Sequence, residues 1–322
     1  MSRYDRDDSP ANTPEDVHDS DVRRPEESSN GQSTSNARGQ GGGSGTSNDS
    51  PHRQQAQPEQ TRSATKDRRT NHLDVDRERT FSLRDSELKT LNDIGTFRVL
   101  KLDDLVTHRY GGDAVEARRD IDNLLRQGLI LRRTTNTATH PEKTTYITLT
   151  KAAHKFLEDR RPQGSKPQQT LYHGFVKPRE ARHDAAIYRL YQQESARIEK
   201  GGGRVQRVVL DFELKRQVYR DLAKLRSLPA PEQAERRREI AEENGLPIVN
   251  GKVALPDLRL EFEGPNQELG KVDLELVTGD YHAGSLAAKA KTGFAMYGLP
   301  EDAARLRPAM SDPGITLEIL SL

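Results

Sequence analysis

The chain has 322 residues and no cysteine, which excludes disulfides, thiolate metal sites and every cysteine-nucleophile chemistry, and fits a reducing compartment. With 32% hydrophobic, 5% aromatic and 31% charged residues, the average is too polar for one compact domain of this length and predicts globular parts joined to a solvated part. Fifty-one basic residues against fifty acidic ones give a net charge of +1, so no chain-wide attraction to a polyanion is expected, only local basic surfaces.

No apolar run reaches the roughly 18 residues of a membrane span. The opening MSRYDRDDSP holds no hydrophobic signal core, so the expectation is a cytoplasmic protein without a membrane partner. Between Met1 and Thr70 the large apolar residues are Met1, Tyr4, Val17 and Val22, and the tract from Gly39 to Gly45 has almost no side chain to bury. Residues 1–80 are therefore expected to form a disordered tail.

From Phe81 to Arg161 short helices precede a hairpin. Leu88, Leu91 and Ile94 recur at helical spacing behind Ser86 as N-cap, and Leu102, Leu105 and Val106 mark a second helix. Gly111 and Gly112 make a turn, Asp113 and Glu116 form a capping box, and Ala117, Ile121 and Leu124 give the third helix a buried face that ends at Gly128. Leu129 to Arg133 and Thr144 to Leu149 read as strands around a polar loop, and Lys151 to Asp159 as a helix.

Three helices and a hairpin in this order resemble a winged helix-turn-helix domain, with residues 117–130 similar to its recognition helix running into the wing. The resemblance implies a double-stranded DNA partner, Arg118, Arg119 and Asn123 facing the major groove, and Arg132, Arg133 and Lys143 touching phosphate. Asp120 and Asp122 share the helix, and residues 81–160 hold 14 Lys or Arg against 12 Asp or Glu. A protein-docking role for the same fold therefore stays open.

Residues 162–179, with their prolines and glutamines, read as a linker, and residues 180–322 as a second domain. In order these are a helix from His183 to Lys200, a strand from Val208 to Lys215, a charged helical insertion over 216–247, strands at Ala254–Glu263 and Lys271–Val277, a helix from Leu286 to Tyr297 and a strand from Ile315 to Leu320.

With Pro256-Asp257 opening the second strand and Asp273-Leu274-Glu275 on the third, this order resembles the PD-(D/E)XK nuclease superfamily. The expected fold class is thus α+β, a winged helix-turn-helix followed by an α/β restriction-endonuclease-like domain. The resemblance implies a Mg²⁺ held by Asp257 with Asp273 or Glu275, activating water against a phosphodiester. The motif lysine is missing, because Val277 stands two residues after Glu275. Lys289 or Lys291 on the next helix could supply the positive charge, and without one the site is expected to be weak or inactive. Glu213-Leu214-Lys215 matches the motif spacing but falls on the expected first strand. An antiparallel sheet with one wet face explains the same carboxylates without a metal.

A winged helix before this second region, with His183-Asp184-Ala185-Ala186-Ile187-Tyr188, resembles the replication-relaxation family of plasmid and mobile-element proteins. That implies a role in replicating or mobilising such an element. The alternative is a non-enzymatic regulator whose second domain dimerises or binds a partner. No GxxxxGK[ST] loop occurs, which argues against ATP-driven activity.

Overall fold

The computed structural model describes residues 69–322, apart from 75–78, 138–139, 162–163, 165–167, 280, 312–313 and 321–322. The tail expected over residues 1–68 lies outside the described residues. The described residues before and around Phe81 form an antiparallel hairpin of β1 (Thr70–Asp74) and β2 (Arg79–Leu83). Phe81 and Leu83 turn into the core, and Arg69 ties the hairpin to the following helix by pairing with Glu87 at 3.1 Å and donating to the Ser82 carbonyl at 3.0 Å.

Helix α1 (Asp85–Phe97) is capped at Arg84 rather than at Ser86. The buried Glu87 carboxylate reaches back to the Arg84 N–H at 2.8 Å, so a side chain three residues inside the helix does the work of a small polar cap. Then follow β3 (Leu100–Lys101), α2 (Leu102–Arg109), α3 (Ala114–Arg126), β4 (Ile130–Thr137), β5 (His140–Leu149) and α4 (Lys151–Asp159). Asp113 caps α3 as expected, accepting from the Val115 and Glu116 amides at 3.0 and 2.9 Å. Glu116 pairs with Arg119 at 3.1 Å. The three strands form an antiparallel sheet of order β3-β5-β4.

The second region begins with α5 (Pro178–Lys200) and β6 (Arg204–Leu210), then α6 (Asp211–Ala223), α7 (Ala230–Glu243) and a small ribbon of β7 (Ile248–Val249) and β8 (Lys252–Val253). It continues through β9 (Leu258–Glu263), β10 (Leu269–Val277), α8 (Ala283–Ala290), β11 (Ala295–Gly298), α9 (Ala303–Met310) and β12 (Leu317–Ile319). The sheet order is β12-β11-β10-β9-β6. β9 runs antiparallel to both its neighbours, β6 and β10, and β10, β11 and β12 run parallel through the crossover helices α8 and α9.

Two expectations change. The strand expected to run to Lys215 ends at Leu210, and Glu213-Leu214-Lys215 lies in the first turns of α6, where Leu214 and Val218 bury one helical face. The helix expected to reach Tyr297 stops at Ala290; Gly293, with φ of 76°, turns the chain into β11.

The segment expected as a linker packs at its described end, 168–177, against both regions. Leu171 and Val176 are buried, the Tyr172 amide donates to the Gly95 carbonyl at 2.7 Å, and the Gln169 side chain makes two 2.8 Å bonds with the Val208 backbone. One hydrophobic core runs from Phe81 to Leu320. At its centre Phe97 of α1 meets Tyr188 and Tyr191 of α5, ring centres 5.1 and 5.0 Å apart. Among the described residues no helix is long and apolar enough to cross a membrane.

Candidate functional site

Two places carry the residues singled out by sequence. On α3, Ala117, Ile121 and Leu124 face the core, and Val115, Arg118, Asp122 and Arg126 line the opposite face in solvent. Arg119 also faces outward but holds Glu116 and Asp120 at 3.1 and 3.3 Å. Asn123 does not join that face. It is buried and donates to Glu87 at 2.9 Å, inside a network where Asp120 pairs with Arg84 at 2.6 Å. Its position four residues before Gln127 on the Asp120 side of the helix turns the amide inward. Arg132, Arg133 and Lys143 are exposed on the hairpin, with the Arg133 guanidinium 4.4 Å from the Phe175 ring centre.

The second place is built where β9 begins beside β10. The register pairs Leu258 with Leu274, which sets Asp257, one residue before β9, across from Glu275. The Asp257 backbone is fastened on both sides, its amide donating to the Leu274 carbonyl at 3.1 Å and its carbonyl accepting from the Asp211 amide at 3.2 Å. Its carboxylate accepts from the Leu276 amide at 2.9 Å and meets His183 Nε2 at 3.4 Å. His183 Nδ1 in turn lies 3.2 Å from Asp184. Glu275, only 1% exposed, binds Lys289 Nζ at 2.6 Å and the Tyr281 hydroxyl at 2.8 Å through Oε1. Its Oε2 is buried with no partner, as is Oδ2 of Asp184.

Burial and then the neighbouring Asp257 charge push the Glu275 carboxyl up to about 7. Burial alone would also raise Asp257, but the His183 cation and the Leu276 amide outweigh it and hold its carboxyl below the usual range. For His183, burial disfavours the imidazolium, yet Asp257 and Asp184 override this and lift it well above its ordinary value. Asp211 is raised by burial despite its 2.7 Å pair with Lys215. Phe97, Phe212, His183, Asp184, Asp211 and Asp257 line a cleft at this point.

Of the expected lysines, Lys289 reaches Glu275. Lys291 stands exposed at the C-terminal end of α8. Asp273 shares the sheet face of Glu275 by its spacing, but both its oxygens are taken by Arg259 at 2.6 and 2.8 Å. Arg259 also closes the end of α7 by donating to the Asn244 carbonyl at 2.7 Å. Among the described residues no group of three His, Cys, Asp or Glu side chains is arranged to hold a metal.

Sequence reasoning left out Tyr281 and Asp211. Tyr281 follows the β10 strand in a turn without a motif. Asp211 was hidden because its segment read as strand. Comparisons of the chain with protein-family models, curated proteins and solved structures return no match.

Proposed function

We propose that this protein binds double-stranded DNA of a mobile element through α3 and the β4–β5 hairpin, and carries a nuclease-like site at Asp257 and Glu275. Supporting the first half is the chain order α1-β3-α2-α3-β4-β5, which resembles that of a winged helix-turn-helix, with Arg118 and Arg126 of α3 and Arg132 and Lys143 of the hairpin in solvent. Supporting the second is the order α5-β6-β9-β10-α8-β11, similar to the core of the PD-(D/E)XK nucleases. The His183 stretch at the start of α5 resembles the replication-relaxation family, which is what favours a mobile element.

The observation that carries the nuclease reading is Lys289. Where the superfamily motif would have a lysine, this chain has Val277, fully buried in the core. The cation instead arrives from α8 and sits 2.6 Å from Glu275.

The residues fit a small hard cation. Two facing acids, with Oε2 of the buried Glu275 left without a hydrogen-bond partner, offer a free hard oxygen donor. Mg²⁺ is commonly held by one or two carboxylates, with water and substrate phosphate completing its shell, so a third protein ligand is not required. Asp257 and Glu275 would hold it, and it would supply an activated water and charge neutralisation at the phosphate.

The chain's own groups prepare this site. The Leu276 amide and His183 orient the Asp257 carboxylate, Tyr281 orients Glu275, and Lys289 stands beside Glu275, where it would face charge developing on a phosphate oxygen.

The test is nicking of a supercoiled plasmid by the full-length protein in Mg²⁺ or Mn²⁺. Slow cleavage is expected, lost in Asp257→Ala and reduced about a hundredfold in Lys289→Ala. Cleavage that survives Asp257→Ala overturns the site. DNA binding with no cleavage in either metal overturns the catalytic half and leaves a non-enzymatic regulator.

A further inference from the structure

Helix α6 was expected as part of a strand and a charged insertion, and neither reading explains its outer face. Leu214 and Val218 pack inward on it. From Lys215 to Arg226 the segment holds Lys215, Arg216, Arg220, Lys224 and Arg226 against one acid, Asp221. Asp211 holds Lys215 at 2.7 Å, and Asp221 holds Lys224 at 2.7 Å and Arg220 at 3.6 Å. Arg216 and Arg226 have no carboxylate partner among the described residues. In the middle stands Tyr219, 54% exposed, a large ring given to solvent.

Helical spacing aligns Phe212, Arg216, Tyr219, Arg220 and Ala223 along one stripe. The stripe starts at the acid site. Phe212 lines the cleft beside Asp257, with the Arg98 guanidinium 5.1 Å from its ring centre, and the first amide of α6, that of Asp211, is bonded to the Asp257 carbonyl. A basic stripe with an exposed ring at its centre, about 20 Å long over the helix and continuous with a pocket of nuclease-like carboxylates, matches the chemistry of a single nucleic-acid strand. Cations follow the phosphates, and a ring stacks on any base.

We infer that the outer face of α6 binds single-stranded DNA leading to or from the Asp257–Glu275 site, with Tyr219 as the stacking platform and Arg216 and Arg220 on the phosphates. This deepens the nuclease-like reading and rests on it for the identity of the strand, but it concerns a surface separate from α3. It also gives the insertion a task that a merely solvated helix lacks.

Fluorescence anisotropy of the full-length chain tests it, with a labelled oligothymidylate of about 12 nucleotides, a length that one basic groove covers, and a labelled duplex, each at several salt concentrations. Tyr219→Ala should weaken single-strand binding about tenfold and leave duplex binding within about twofold, and Tyr219→Phe should restore it. Arg216→Ala with Arg220→Ala should lower the single-strand salt slope by about 1.4. All these side chains are exposed, so the melting temperatures should match the parent. Parent-like single-strand binding by both α6 variants, equal losses on duplex and single strand, or no single-strand binding by the parent overturns the inference. Arg118→Ala serves as the separate control: if it binds duplex like the parent, the α3 assignment fails while the α6 assignment stands on its own data.

Discussion

Glu275 is held between a cation and a like charge, with Lys289 on one oxygen and Asp257 nearby, in a pocket that gives its second oxygen nothing to bond. A carboxyl whose folded pKa lies above its unfolded value contributes stability that is fully present below the unfolded pKa and is lost as pH rises through the folded one. For Glu275 that window runs from about pH 4.5 to about 7. Its ionisation should cost on the order of 3 kcal/mol across the window. In chelator, Glu275→Gln should therefore flatten the fall in stability between pH 5 and pH 8, read as urea midpoints at each pH. An unchanged slope in the variant would mean that another group sets it. His183 and Asp257 work against each other's burial in the opposite sense. Each keeps the other charged, so the pair persists at neutral pH while Glu275 is the member that exchanges a proton there.

At the scale of elements, what was legible in the sequence is what is locally determined. The Asp113 cap, the apolar face of α3 and the alternation of β9 and β10 each depend on residues within a few positions of one another, and all could be read from spacing. The facing of Asp257 and Glu275 followed from strand parity once the two strands were recognised. The misreadings share one cause. Val208, Leu210, Phe212 and Leu214 alternate, but Leu210, Leu214 and Val218 also fall on a helical period, and a two-residue overlap cannot tell the periods apart; the tertiary core chose the helix after Leu210. The four-residue β11 was absorbed into the preceding helix because Ala287, Ala288 and Ala290 are strong helix formers, while the break depends on one residue, Gly293. Asn123 was misplaced because a polar residue on a helix reads as exposed, and its partner Glu87 lies 36 positions away. Lys289 was legible only as a candidate, since its contact with Glu275 depends on the length of the turn after β10.

For the whole molecule, the important feature is a main core cluster that spans both regions. Composition predicted separate globular parts with a spacer between them. Instead Phe97 packs on Tyr188 and Tyr191, the Tyr188 hydroxyl donates to Asp93 at 3.3 Å, and Arg189 of α5 reaches Asp104 of α2 at 3.6 Å. Short spacers carrying Leu171 and Val176 cannot stay solvated, because each buries an apolar side chain whose exposure would cost about 1.5–3 kcal/mol. Helix α3 and the acid site should then unfold together. Phe97→Ala should remove about 3–5 kcal/mol from one cooperative transition detected equally by probes in both regions. Two transitions, with only one shifted by the substitution, would show that the regions are independent.

Asp257 and Glu275 are proposed to form a divalent-cation site with Lys289 beside it. Isothermal titration of the full-length protein with Mn²⁺ at pH 7.5 addresses it without depending on cleavage. One saturable site is expected in the parent, absent in Asp257→Ala and in Glu275→Ala, and unaffected by Asp273→Asn, whose carboxylate is committed to Arg259. Binding that persists in Asp257→Ala, or no binding by the parent, would contradict the account and leave these carboxylates as a buried charge network alone.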